Sequence, residues 1–246
     1  AGSLVVTSAY AGSMSVSGGA SIGLKNTSKT ATGKSWTMGN QLTFSGSGEL
    51  DNGMNVSLSF VLDQGDDTTV SSGPFDSHSV TISSDSLGTL KFSGEGGSSA
   101  QSAIDTTAAG DLWNNGQNIT AVRSAEAGNN SLFYTLPSIM DDLTVNASMS
   151  PGSAGGSTAT AWALTYTGVE GLSASYGVGE TNTIGSEAET TTMKASYAIG
   201  SFTVAASNSN HEYDLSSQND EEVSSWKVSY TVSDDMSVTY GSETIE

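Results

Sequence analysis

Thirteen short segments of this chain alternate apolar and polar residues, and the connections between them alternate short and long. Met54, Val56, Leu58 and Phe60 are separated by Asn55, Ser57 and Ser59. Trp226, Val228, Tyr230 and Val232 are separated by Lys227, Ser229 and Thr231. Period two sends one set to each face of a strand. A soluble sandwich would alternate in the same way, so the connections decide. Asp51-Asn52-Gly53, Glu170-Gly171, Gly200 and Ser233-Asp234-Asp235 are tight turns, whereas the intervening connections are long, polar and acidic. Strand ends that face two different environments in turn are the mark of an up-and-down barrel across an outer membrane.

Composition agrees. Only 35% of residues are hydrophobic, and Gly, Ser and Thr dominate. A barrel needs apolar residues at every second strand position only, because its interior is wet. No run of about 18 apolar residues is present, which excludes a transmembrane helix. The net charge of −19 leaves no basic patch to neutralise phosphates, so nucleic acid is not a partner. The absence of cysteine excludes disulfides and thiol chemistry.

Alternation and turn residues predict strands at about Ser13–Lys25, Trp36–Leu50, Met54–Leu62, His78–Ser84, Gly88–Gly94, Ser131–Pro137 and Leu143–Met149. Six more follow at about Thr158–Thr167, Leu172–Val178, Thr190–Ile199, Phe202–Asn208, Val223–Val232 and Met236–Gly241. Tyr166, Tyr197 and Tyr230 each sit three or four residues before a short turn. A ring at a fixed height near one rim suits an interfacial girdle. Leu58, Phe60, Leu164, Tyr197 and Val228 are expected to face lipid.

The longest connection, residues 95–129, holds no clear strand. A structureless stretch of that length in a barrel is expected to be functional. At the start, Leu4-Val5-Val6 is apolar and Ala9-Tyr10-Ala11 is a small-x-small cleavage site. Residues 1–11 are thus expected to be a signal-peptide remnant and 12–246 the barrel. Bacterial barrels have even strand numbers, so thirteen strands predict a fragment lacking C-terminal strands.

Four features together resemble the general porins of Gram-negative outer membranes, of marine alphaproteobacterial type. They are the signal remnant, MGNQLTFSGSGELDNGMNVSLSF (Met38–Phe60), GTLKFSGEGG (Gly88–Gly97) and the Tyr-turn-Leu hairpins. The resemblance implies an all-β transmembrane antiparallel barrel of sixteen strands, thirteen of them present. It also implies a homotrimer in lipid and lipopolysaccharide, inserted by the outer-membrane assembly machinery. The family's third long loop folds into the lumen and narrows the pore, and the 95–129 connection stands in the matching place. Function is then passive diffusion of ions and small hydrophilic solutes. Two features depart from the family. Its constriction sets acidic loop residues against an arginine-rich wall, whereas this chain has one arginine, Arg123. Its last strand ends in an aromatic, whereas this chain stops at Thr244-Ile245-Glu246.

Candidate constriction residues are Glu95, Asp105, Asp111, Arg123 and Glu126 in or beside the loop, and Lys91, Lys194 and Lys227 on strands. Each lysine interrupts an apolar alternation, so period two turns it inward. A lysine wall would then oppose the loop carboxylates; scattered solvated lysines are the plainer alternative. Most carboxylates fall on the long-loop side, among them Asp63, Asp66, Asp67, Asp76, Glu187, Glu189, Glu212, Asp214, Asp220, Glu221 and Glu222. A negative mouth concentrates cations, so cation preference is expected.

Catalysis is not expected. No metalloprotease helix, phosphate loop or nucleophile elbow occurs. His78 and His211, placed at the long-loop rim, read as exposed loop histidines with no nucleophile to serve. Asp63, Asp66 and Asp67 offer oxygens to Ca2+ or Mg2+, but their spacing does not match an EF-hand, and a solvated acidic loop is the simpler reading. The rival class is a secreted Gly/Ser/Thr-rich β-solenoid adhesin or surface-layer protein. Variable loops and the lack of a fixed repeat period argue against it.

Overall fold

The computed structural model describes residues 12–26, 34–63, 77–104, 106–110, 128–151, 158–183, 187–215 and 219–246. Residues 1–11, the expected signal remnant, lie outside them. The strands are β1 (Ser13–Asn26), β2 (Lys34–Glu49), β3 (Asn55–Asp63), β4 (Ser77–Ser84), β5 (Gly88–Glu95), β6 (Ser131–Thr135) and β7 (Leu143–Ser150). They continue as β8 (Thr158–Tyr166), β9 (Leu172–Asn182), β10 (Ala188–Ile199), β11 (Phe202–Tyr213), β12 (Glu221–Ser233) and β13 (Met236–Ile245). Each pairs antiparallel with its sequence neighbour, giving one thirteen-stranded sheet in the order β1 to β13. β1 and β13 stand at its two edges, so the sheet is not closed. Among the described residues, no helix is long and apolar enough to cross a membrane.

The two faces are inverted relative to a soluble protein. Met14, Ile22, Trp36 and Tyr240 are each more than 70% exposed on the outer face, whereas Thr190 and Thr192 on the inner face are 1% exposed. Directly paired residues share a face, so register extends this assignment across the sheet. Leu58, Leu164, Tyr197 and Val228 lie on the outer face, as does Phe60, opposite Phe44. Aromatic pairs cover that face: Trp162 with Tyr176, Phe202 with Tyr230 and Trp226 with Tyr240.

The tight turns depend on backbone that L residues resist. Gly171 has φ +79°, and a Cβ there would lie 2.2 Å from the Ala198 carbonyl oxygen. Only glycine fits both the positive φ and that approach.

All thirteen strands occur, and the sequence-based bounds fail mainly at the far ends. β9, β11 and β13 run on to Asn182, Tyr213 and Ile245. Both faces there are polar or small, so alternation fades while main-chain pairing continues. β6 ends at Thr135 rather than Pro137, and the Leu136 N–H still donates to the Val145 carbonyl at 3.0 Å. The histidines are corrected too: His78, within the expected fourth strand, is half-buried rather than exposed, and His211 lies on β11, beyond the expected strand end at Asn208, and is also half-buried.

Candidate pore constriction

The connection after β5 turns back onto the inner face of the sheet. It begins with a 3-10 turn, Ala100–Ala103, which Ser99 caps by accepting the Gln101 N–H on its hydroxyl at 3.3 Å. Two bonds root the turn on the wall. The Ala100 N–H donates to Ser148 Oγ on β7 at 2.8 Å, and Gln101 Nε2 donates to the Thr190 carbonyl on β10 at 2.9 Å. Gln101 is fully buried. A buried amide without partners would be costly, so these contacts position the turn closely.

Beyond the root lies a dry contact. Ala100 and Ile104 cluster with Ala159, Ala161 and Ala163, and Phe133 packs against them. These alanines are alternate residues of β8 and form an inward stripe. Gly177 on β9 completes the recess: a Cβ there would lie 2.9 Å from Ile104 Cδ1 and 3.3 Å from Gln101 Cγ. The small residues let the segment sit directly on the wall.

Residues 106–109 then bond to four neighbouring strands, β10 to β13. Lys194 Nζ on β10 donates to the Thr106 carbonyl at 2.8 Å. The Thr107 hydroxyl donates to the Glu243 carboxylate on β13. The Ala108 N–H donates to Ser207 Oγ on β11 at 2.8 Å, and the Ala109 N–H to Ser225 Oγ on β12 at 2.9 Å. The segment thus runs along the inner face of the sheet from β7 to β13.

The opposite inner wall is lined by hydroxyls. Ser15, Ser45, Ser59, Ser79, Ser93 and Ser131 pair in sequence on one rung from β1 to β6. Lys91 stands on the adjacent rung, half-buried, opposite Thr81 and Phe133. Lys227 is half-buried on the inner face of β12, opposite Ala205 and Gly241. Glu95 is the last residue of β5, opposite His78. Asp105, Asp111, Arg123 and Glu126 lie outside the described residues. The structure brings Lys194 to the loop, but to a backbone carbonyl.

The far rim carries its glutamates differently from a simple funnel. Glu180, Glu189 and Glu212 are opposite one another on β9, β10 and β11. They share a face with Met193 and Tyr197, by period two, and so point outward. Glu221 has the inward phase of β12. His211 Nδ1 lies 2.7 Å from the Thr190 hydroxyl on the inner face. His78 stacks on Phe60 at 6.4 Å between ring centroids, over Gly94. Among the described residues no group of three or more His, Asp or Glu is placed to hold a metal ion. Asp66 and Asp67 lie outside the described residues.

Sequence reasoning missed Gln101, Gly177, Ser207, Ser225 and Glu243. Glu243 carried one signal: it has the inward phase of β13, in which the inward residues before it, Ser237, Thr239 and Gly241, are small.

Comparisons with known proteins agree with this architecture. A family model described as Gram-negative porin matches residues 1–244. No match was found among curated proteins. Among solved structures, the chain is similar to a loop L8 deletion mutant of OmpT, an outer membrane protein of Vibrio cholerae. That match has a TM-score of 0.65 and 13% identity, and covers 96% of this chain and 82% of the other. The trimer form of OmpT matches with a TM-score of 0.60 and 15% identity over 96% and 77% of the two chains. Salmonella typhi OmpF in complex with daunomycin matches with a TM-score of 0.60 and 11% identity over 95% and 79%. These likenesses establish the fold, and the family match establishes the class, which is not enzymatic. The chain belongs to the Gram-negative porins, outer-membrane channels through which small polar solutes diffuse passively.

Proposed function

We propose that the channel prefers cations and that residues 95–129 form its narrowest part. The observation that carries the second point is the docked segment, Ala100 to Ala109, on the inner face of β7 to β13. A segment docked on the inner face removes cross-section from the lumen that this face borders. The hydroxyl rung of β1 to β6 then borders the open side. Hydroxyls suit water and small polar solutes and add no fixed charge.

The net charge of −19 supports the cation preference. The outward glutamates lie a wall's thickness from the lumen, and at 0.1 M salt the Debye length is ~10 Å. Their field therefore reaches the mouth at low salt and fades as salt rises. Glu221, with the inward phase of β12, acts from inside. Lys91 and Lys227 oppose them and are outnumbered. A homotrimer is the assembly we infer, as in the trimer form of OmpT, with lipid and lipopolysaccharide against the apolar outer face.

Deleting Ser98–Ala109 tests the constriction. The deletion is expected to admit larger sugars in liposome swelling. An unchanged exclusion limit in an assembled deletion would refute it.

A further inference from the structure

The docked segment has two kinds of attachment. Its root, Ala100 and Gln101, sits on a pairing line through Ser148, Ala161, Gly179 and Thr190. Its far part, Thr106 to Ala109, sits on another line four residues nearer the short turns. That second line is Lys194, Ser207, Ser225 and Glu243, paired in sequence across β10, β11, β12 and β13. Each of the four side chains on this rung bonds to a different loop residue. Loop and rung are matched one to one.

We propose that this rung is the latch that fixes how far the loop closes the channel, and that Lys194 belongs to the latch rather than to the field in the lumen. The inference rests on the reading that residues 95–129 narrow the pore. Three observations support it. Glu243 is 9% exposed, so its carboxylate is directed at the loop instead of at open water. Bonds that involve an ionised partner are roughly twice as strong as neutral ones, and both ends of the rung, Lys194 and Glu243, supply one. Gly241, beside the rung, faces the loop: a Cβ there would be in ordinary van der Waals contact with Ala109 Cβ at 3.4 Å, so the segment lies directly against β13. Without the latch, the segment loses these four bonds but keeps its root and the Ile104 contact, and it can swing away from the β11–β13 wall about that root. Lys194, Ser207, Ser225 and Glu243 are positioning residues: they act on solutes through the loop.

The test compares variants of the full chain in liposome swelling with a graded sugar series and in planar bilayers. Glu243→Ala and Lys194→Met are expected to shift the exclusion limit away from the wild-type value. Thr107→Val, which leaves the barrel wall untouched, is expected to shift it in the same direction. Lys194→Arg should restore the wild-type limit. So should a disulfide between Ala109→Cys and Ser225→Cys in the Glu243→Ala background, since the chain has no other thiol. Reversal potential gives the second readout: Lys194→Met should move it less than Lys227→Gln does. If deletion of Ser98–Ala109 changes the limit but Thr107→Val and Lys194→Met keep it at wild type, the latch is overturned and the constriction stands. If the deletion itself changes nothing, the constriction reading fails and the latch with it.

Discussion

Replacing Val228 by arginine tests which face meets lipid and at what depth. Val228 lies on the outer face of β12, five residues from the strand's Ser233 end. At ~3.3 Å per residue and ~40° tilt it stands roughly 13 Å above the short turn, close to the middle of an apolar band ~25 Å tall. Val232, on the same face and one residue from that end, stands only ~3 Å above it by the same geometry. Arginine on a barrel's lipid face costs ~2–4 kcal/mol at the midplane and ~0–1 kcal/mol near the interface. Val228→Arg should therefore be less stable than Val232→Arg by about 2–3 kcal/mol, or roughly 30- to 150-fold in the folding equilibrium. Ser229, whose hydroxyl is 2.8 Å from that of Thr239 on the inner face, provides the control. Ser229→Arg points into water and should assemble far better than Val228→Arg. The assay is urea-dependent folding into lipid vesicles, read as the folded band on unheated gels. Equal stability of the Val228 and Val232 variants would refute the depth. A Ser229→Arg variant less stable than Val228→Arg would refute the face.

Three further outcomes follow from the same geometry. Gly177→Val should push the docked segment off the wall while the barrel assembles, because a Cβ at 177 meets Ile104 Cδ1 at 2.9 Å; faster protease cleavage within residues 98–110 of assembled protein would check it. Gly171→Ala should lower stability by more than ~1 kcal/mol, since position 171 has φ +79° and an incompatible backbone costs more than the entropy alanine saves; urea titration reads this directly. Lys91→Gln with Lys227→Gln should strengthen cation preference at low salt, where screening is weakest; an unchanged reversal potential would make both lysines bystanders.

Most of the sheet was legible because its two faces meet opposite solvents. A strand such as Trp226 to Val232 then displays period two without interruption, and the tight turns at Gly53, Gly171 and Gly200 mark its ends. Legibility fell where that contrast fell. At Ser209–Glu212 and Ser242–Thr244 both faces are polar, so strands that continue looked finished. The inward phase of Lys194 was readable from Met193 and Ala195, but its partner was not. A bond from Lys194 to Thr106 spans 88 positions, and only the register of β10 with β11, β12 and β13 lines up the side chains that hold the loop. Ser207 and Ser225 are unremarkable serines in a serine-rich chain until that register is known.

If the channel is water-filled and its charge favours cations, the reversal potential of single channels across a KCl gradient, measured first at low salt and then near 1 M, will carry the sign set by K+ permeation at low salt. It will shrink at high salt as the Debye length falls from ~10 Å at 0.1 M to ~3 Å. A potential set by Cl− at low salt would refute the cation preference and would assign control to Lys91 and Lys227.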